Sequence, residues 1–242
     1  MTLASGANEG QMQIAPQSEL TNSFLELKTR ADNLAQILNS GGNIFAPDDA
    51  VTAHPIRFTT PARIIGLAWL LTGNETYRTA LFTLADQTLA VSPTSGNDFT
   101  QAGRAGALGI IYDWLHVDVT SRTHVASGRL YKDEMFDFVK ATAHAQAGFI
   151  CGSGGSTLSV EWKCKNGAPT PWATGTHADS NNSEMARAVL AMVDDFPELE
   201  NLAVTLLQGD RDVVAPFRDY VAVDGAHHFG YDYGATYTQL FG

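Results

Sequence analysis

The chain has 242 residues, of which 44% are hydrophobic and 17% charged, and its formal net charge is −11. This composition is typical of a folded globular protein, and the acidic balance excludes a general nucleic-acid binder, which needs an excess of Lys and Arg on one face. No apolar run approaches the length of a membrane helix, about 20 residues, so we expect neither a membrane nor a nucleic-acid partner.

The first part of the chain is predicted to form paired helices. Residues 1–20 are polar and irregular, and we expect a flexible N-terminal arm there. An apolar spacing typical of a helix follows over Ser23–Leu38. Another helix is expected over Thr59–Gly73, ending on glycine, and Asn74 then caps a helix over 74–91. Because the link between these two helices is short, they should lie antiparallel.

The second part repeats the helical pattern around a long break. Gly, Ser and Pro dominate residues 148–176, where we predict a functional irregular loop or a small hairpin. Helices are predicted on either side of it, over 99–115, 133–147, 181–193 and 197–208. Consecutive antiparallel helices predict an all-α protein, arranged as an incomplete (α/α) toroid of helical hairpins.

Two cysteines, Cys151 and Cys164, lie in or beside the break. Their spacing fits a disulfide in a periplasmic or secreted protein and equally fits two free thiols. A zinc site is not predicted, because neither these cysteines nor the adjacent His227 and His228 have further ligands at a suitable spacing. We therefore expect no metal and no other cofactor.

The motif THADSNNSEMARAVLAM combines polar residues with the start of a predicted helix. His177, Asn181 and Asn182 would lie at the helix N-terminus, where free N–H groups favour an anionic ligand. Asn181 followed by Glu184 also matches a capping box, which would explain both residues without a ligand. No cap requires His177, so it is the stronger functional candidate.

Histidine and tyrosine are concentrated in DGAHHFGYDYGATY, residues 224–237. Histidine titrates near neutrality, and tyrosine acts as an acid or base when neighbouring cations lower its pKa. Some of these rings would instead fill the core. A further candidate is Arg104 in GRAGALGIIYDWLH, which is either paired with Asp113 or kept as a clamp for a carboxylate.

Four segments in order resemble one known family: LAWLLTGNETYRTALFTLADQTL, GRAGALGIIYDWLH, TGTHADSNNSEMARAVLAM and DGAHHFGYDYG. Over residues 60–240 the sequence resembles the toroid domain of heparinase II/III-like polysaccharide lyases and their alginate and chondroitin lyase relatives. These enzymes cleave uronic-acid polysaccharides by β-elimination. The resemblance implies an acidic polysaccharide substrate, a periplasmic or secreted location and a toroid lyase domain over 21–242. Because these enzymes usually continue into a C-terminal β-sandwich, we expect the chain to be a fragment without it.

In such lyases the uronate carboxylate is neutralised so that the neighbouring proton can leave. Carried onto this chain, the resemblance implies that Asn182, or Asn181, acts with Arg104 to neutralise the carboxylate. Glu184 would be a protonated helper. Trp172 lies in the long break and would stack on a sugar ring.

The resemblance also implies the acid and the base. His177 or His228 would be the base for one uronate epimer. Tyr233 would be the base for the other epimer or the acid that protonates the leaving oxygen. Tyr237 is the second choice, because some related lyases place their tyrosine farther from the histidine, and Tyr231 is assigned to packing.

Other function classes fit the sequence less well. An α/β-hydrolase would pair Asp212 with His228, but the G-x-S-x-G elbow and the parallel strands are missing. A glycoside hydrolase on the same toroid would use paired Asp and Glu and form no double bond. A noncatalytic scaffold would bind sugars through tryptophans, and Trp162 and Trp172 suit this better than Trp69 and Trp114, whose helical spacing is typical of a core.

Overall fold

The computed structural model describes residues 17–44, 56–151, 157–165 and 176–207, and within these ranges the chain is helical and has no β-strand. A 3₁₀ turn at Pro197–Leu199 leads into α-helical residues 200–207. The all-α prediction is thus confirmed for the described part. The preceding helices are α1 (Gln17–Asn39), α2 (Ile56–Thr72), α3 (Glu75–Leu89), α4 (Asp98–Trp114), α5 (His116–Ser121), α6 (Tyr131–Ala145), α7 (Ala147–Cys151) and α8 (Thr176–Met192).

The junction of α2 and α3 follows the local signals in the sequence. Gly73 has a φ of +65° and its N–H donates to the carbonyl of Trp69 at 2.7 Å, which ends α2. The Asn74 side chain accepts from the N–H of Thr76 at 3.0 Å and caps α3. Both residues have the backbone conformations expected of these caps.

Two predicted helix starts are wrong by five residues or more, those of α1 and α8. Helix α1 begins at Gln17, inside the expected arm, because Gln, Glu and Leu favour a helix although the segment is polar. Helix α8 begins at Thr176, so Asn181 lies within the helix and does not cap it. The predicted helix-terminal anion site at Asn181 and Asn182 is therefore also wrong.

Helices α2, α4 and α8 form one parallel layer with α4 in the centre. Thr59 near the start of α2 meets Gly106 in the middle of α4, and Gly66 farther along α2 meets Trp114 at the end of α4. Asp98 at the start of α4 contacts Asn181 of α8, and Gly109 farther along α4 contacts Ala188 farther along α8. In both pairs the contacts advance along the two helices in the same order, so the three helices run in the same direction.

Helices α1, α3 and α6 form a second layer on one side of the first. The Tyr77 hydroxyl of α3 donates to Asp32 of α1 at 2.6 Å, and the Tyr131 hydroxyl of α6 donates to Asp86 of α3 at 2.5 Å. Both bonds span 45 residues. A contact with the same chemistry and spacing thus recurs from one helix of this layer to the next.

The predicted small hairpin is present in part. Residues 157–165 fold back through the antiparallel bridge between Leu158 and Cys164, and a disulfide joins Cys164 to Cys151 at the end of α7. Trp162 is only 3% exposed and its ring lies 4.7 Å from that of His144 on α6. Trp162 therefore packs the hairpin onto α6, and its expected role as a sugar platform is wrong.

No helix in the described ranges is long and apolar enough to cross a membrane.

Candidate functional site

A buried carboxylate lies over the centre of the parallel layer. Gly106 of α4 has no side chain, and the space above it is occupied by Glu184 of α8, whose Oε2 a Cβ at position 106 would overlap. Thr59 of α2 reaches across the same glycine and donates from Oγ1 to Glu184 Oε1 at 3.4 Å. Glu184 is only 2% exposed. Side chains from α2 and α8 therefore meet above α4.

Two arginines contact this carboxylate. Arg187 Nη1 lies 2.6 Å from Glu184 Oε1, an ion pair whose angles fall outside those of a hydrogen bond, and Arg63 Nη2 lies 3.8 Å from the same oxygen. Burial lowers the pKa of Arg63, repulsion from Arg187 lowers it further, and Glu184 opposes the change. The cluster holds two guanidinium groups for one carboxylate, so it carries a local positive excess in an acidic protein.

One turn of α8 carries several buried side-chain oxygens that lack a hydrogen-bond donor. The side-chain oxygens of Asn181, Asn182 and Ser183, and Glu184 Oε2, are buried and have no hydrogen-bond partner among the described residues. Native proteins leave few such atoms, since each costs free energy until a donor reaches it. This turn therefore favours contact with a group that is rich in donors.

Asn181 and Asn182 differ in whether their side-chain amide N–H groups are already bound within the protein. Asn181 Nδ2 donates to Asp98 Oδ2 at 3.0 Å and to Gln146 Oε1 at 3.2 Å, so its amide protons already have acceptors. Asn182 is 5% exposed and makes neither contact. Of the two candidates for carboxylate neutralisation, the geometry favours Asn182.

Arg104 is bound to the backbone. Its Nη1 donates to the carbonyl of Ser95 at 3.0 Å, its guanidinium lies 5.6 Å from the ring centre of Phe58, and the residue is 9% exposed. Asp113 lies nine residues farther along α4, about 13 Å at the helical rise and on the opposite side of the helix, so of the two alternatives for Arg104 the pairing with Asp113 is wrong. Arg63 and Arg187 have more accessible side chains, at 37% and 31% exposure.

Several predicted site residues lie outside the described residues: Trp172, His228, Tyr233 and Tyr237. His177 lies in the first turn of α8, and its side chain is also outside the description. The structure therefore brings Glu184 together with two new arginines and buries Asn182 on the same helix, and their relation to the proposed acid and base stays a prediction.

A pocket of about 320 Å³ adjoins the arginine cluster. Arg187 belongs to both, so the pocket continues from the buried carboxylate toward the C-terminal ends of α4 and α8. The walls mix an aromatic ring, both charge signs and apolar side chains. The pocket is lined by Gly109, Ile110, Asp113 and Trp114 of α4 and by Arg187, Leu190 and Ala191 of α8.

Neither arginine was predicted from the sequence, although one signal was present. Glu184 and Arg187 are three residues apart, a spacing that brings oppositely charged side chains together on a helix. Arg63 has no such signal, because its approach to Glu184 depends on the packing of α2 and α8 over Gly106. Comparison of the chain with protein-family models, with curated proteins and with solved structures finds no match.

Proposed function

We propose that this chain is the toroid domain of a polysaccharide lyase that cleaves a uronic-acid polymer by β-elimination. The observation that carries the proposal is the pair of arginines, Arg63 and Arg187, around the one buried carboxylate of Glu184. A positive excess at one point of a strongly acidic chain suits an acidic substrate, because attraction elsewhere on the surface is weak.

The arrangement of the helices supports the toroid. In an (α/α) toroid, parallel inner helices alternate along the chain with outer helices of opposite direction. Helices α2, α4 and α8 would be the inner set, and α1, α3 and α6 the outer set. The recurring bonds of Tyr77 and Tyr131 between successive outer helices support a repeated hairpin unit.

The disulfide supports the proposed location. Disulfides persist in the periplasm and outside the cell and are rare in reducing compartments. The bond between Cys151 and Cys164 closes the hairpin against the end of α7. A periplasmic or secreted enzyme would also meet extracellular polysaccharides.

In the proposed reaction a base removes the C5 proton of the uronate, and the electron pair forms the C4=C5 double bond. The C4–O4 bond breaks, and the leaving oxygen takes a proton from an acid. Arg63, Arg187 and Asn182 would neutralise the carboxylate as negative charge develops on it, which replaces the role expected of Arg104. His177, His228 and Tyr233 stay the candidates for base and acid.

The test is incubation of the chain with alginate, chondroitin and heparin, followed by ultraviolet absorbance and mass spectrometry. A lyase produces a conjugated double bond and an end product lighter by one water than the hydrolysis product. Products of hydrolytic mass without a double bond would replace the proposal with a glycoside hydrolase. Absence of both products on all three polymers would contradict any cleavage.

A noncatalytic sugar-binding scaffold is the second candidate. The specific observation in its favour is the pocket beside Trp114, which does not depend on any acid or base. This candidate predicts binding of uronate oligosaccharides without formation of a double bond.

A further inference from the structure

We propose that the pocket between α4 and α8 is a subsite for one acidic sugar residue of the substrate, with Trp114 as its platform and Arg187 as its carboxylate ligand. The inference rests on the proposed function for its substrate class. It deepens that function by placing in this pocket the uronate whose carboxylate Arg187 would neutralise in the proposed reaction.

The pocket volume suits one sugar ring. At about 320 Å³ it lies at the lower end of small-molecule sites, which span about 300–1,000 Å³. Gly109 and Ala191 add little side-chain bulk at the boundary of α4 and α8, which leaves room between the helices. A longer oligosaccharide would therefore extend out of the pocket and along the layer.

The Trp114 ring is held in a defined position. It is partly buried, and its six-membered ring packs so closely on Gly66 of α2 that a Cβ at position 66 would overlap it. A ring supported in this way offers an apolar surface at low entropic cost. Ile110 and Leu190 add apolar contacts for the C–H groups of a sugar.

Charged groups at the walls complement a uronate. Arg187 supplies guanidinium N–H donors for a carboxylate, and Asp113 supplies acceptors for hydroxyl groups. Arg63, on the other side of Arg187, adds positive charge without lining the pocket. A neutral sugar would use the aromatic ring and Asp113 only, so the pocket should prefer an acidic residue.

The decisive variants change charge at Leu190, which is 45% exposed. Leu190→Glu places a carboxylate opposite the substrate carboxylate, and Leu190→Gln has the same shape without the charge. Glu and Gln have nearly equal helix propensities, so both variants should fold. Val204→Glu adds the same charge at a similarly exposed position outside the pocket, 47% exposed, as a control.

Binding of alginate, hyaluronan and heparin tetrasaccharides is measured by calorimetry in the Tyr233→Phe background, with cellotetraose as the neutral control. For the best-bound uronate probe, Leu190→Glu should raise Kd about tenfold through charge repulsion added to the loss of an apolar contact, and Leu190→Gln, which loses only the apolar contact, about threefold. Val204→Glu, outside the pocket, should change Kd less than about twofold. Trp114→Leu should raise Kd about tenfold and Trp114→Phe less, since a phenyl ring still stacks.

Equal effects of Leu190→Glu and Leu190→Gln, or no binding of any uronate tetrasaccharide, would overturn the subsite. The lyase proposal fails separately. If the binding pattern is as predicted but no polymer yields a double bond, the subsite stands and belongs to a sugar-binding scaffold. If double bonds form at an unchanged KM in Leu190→Glu, the lyase stands and the subsite is rejected.

Discussion

Gly109 of α4 lies directly against the backbone of Ala188 on α8, so close that a Cβ at position 109 would be 2.5 Å from the Ala188 Cα. The backbone cannot rotate away as a side chain can, so the two helices would have to separate. This close contact between α4 and α8 fixes the position of α8, which carries Glu184 and Arg187. The arginine cluster therefore depends on a glycine that touches none of its charges.

Gly109→Ala should lower the free energy of unfolding. Overpacking costs about 1–3 kcal/mol, and a clash with backbone atoms belongs toward the upper end of that range, above the gain of about 1 kcal/mol that alanine brings to a helix interior. The control is Gly148→Ala in α7, where a Cβ would meet no atom within 4 Å. Urea unfolding should show a loss for position 109 and no loss for position 148. Equal stability of the two variants would contradict the close packing of α4 and α8.

Helix ends were predicted correctly from the sequence where they depend only on neighbouring residues. Gly73 and Asn74 end α2 and cap α3 as predicted, because caps involve only neighbouring backbone groups. The same reasoning failed at Asn181, which matches a capping box but binds Asp98, 83 residues away. A tertiary hydrogen bond there outweighs the local pattern.

The candidate site was predictable only in part, for the same reason. Asn182 and Glu184 were identified from one motif on one helix. Arg63 could not be, because it joins Glu184 only when α2 and α8 meet over Gly106. Arg104 has the residue type expected of a clamp, but its partner is the backbone of Ser95, which no side-chain pattern reveals.

Removal of the buried carboxylate should destabilise the fold. Glu184→Gln leaves two arginines without their counter-charge, and loss of one partner of a buried ion pair costs up to about 3–5 kcal/mol. We expect about 2 kcal/mol, the lower value because both arginines are partly exposed. Glu200→Gln is the exposed control. A change at Glu184 no larger than at Glu200 would show that the ion pairs contribute nothing to stability.

The disulfide should stabilise the chain by constraining the unfolded state. Cys151 and Cys164 are 13 residues apart, and a loop of that size gives about 3 kcal/mol in the chain-entropy account. The Cys151→Ser/Cys164→Ser variant should lose this amount. A reductant should destabilise the wild-type chain and leave the double variant unchanged. If reductant affects both alike, the stabilisation comes from another source.

Stability should fall in acid through Asp195. The Tyr112 hydroxyl donates to Asp195 Oδ2 at 2.6 Å and His116 Nε2 lies 2.7 Å from the same atom. The Tyr112 hydrogen bond is the main cause that lowers the pKa of Asp195. A lowered carboxyl pKa gives stability that is complete above the unfolded value, about 3.9, and is lost as pH falls through the folded value. In urea unfolding across pH, the free energy of unfolding of the Asp195→Asn variant should therefore fall less than that of the wild type below about pH 4.

The same pair of residues should also lower the stability of the fold at alkaline pH, through the ionisation of Tyr112. Burial, followed by the hydrogen bond to Asp195, raises the pKa of Tyr112. A raised pKa gives stability that is complete below the unfolded value, about 10, and is lost as pH rises toward the folded value. Tyr112→Phe should flatten the decline above about pH 10, measured by urea unfolding across pH. An unchanged decline would assign it to other groups.

The most direct measurement of the central claim is the rate at which the chain forms the C4=C5 double bond on its preferred uronic-acid polymer, followed by ultraviolet absorbance. The wild-type chain should produce the signal, and Tyr233→Phe should lower the rate at least about 100-fold through loss of an acid or base. Tyr231→Phe is the matched control, and its rate should equal that of the wild type. A wild-type chain that forms no double bond on alginate, chondroitin or heparin would contradict the proposed lyase function.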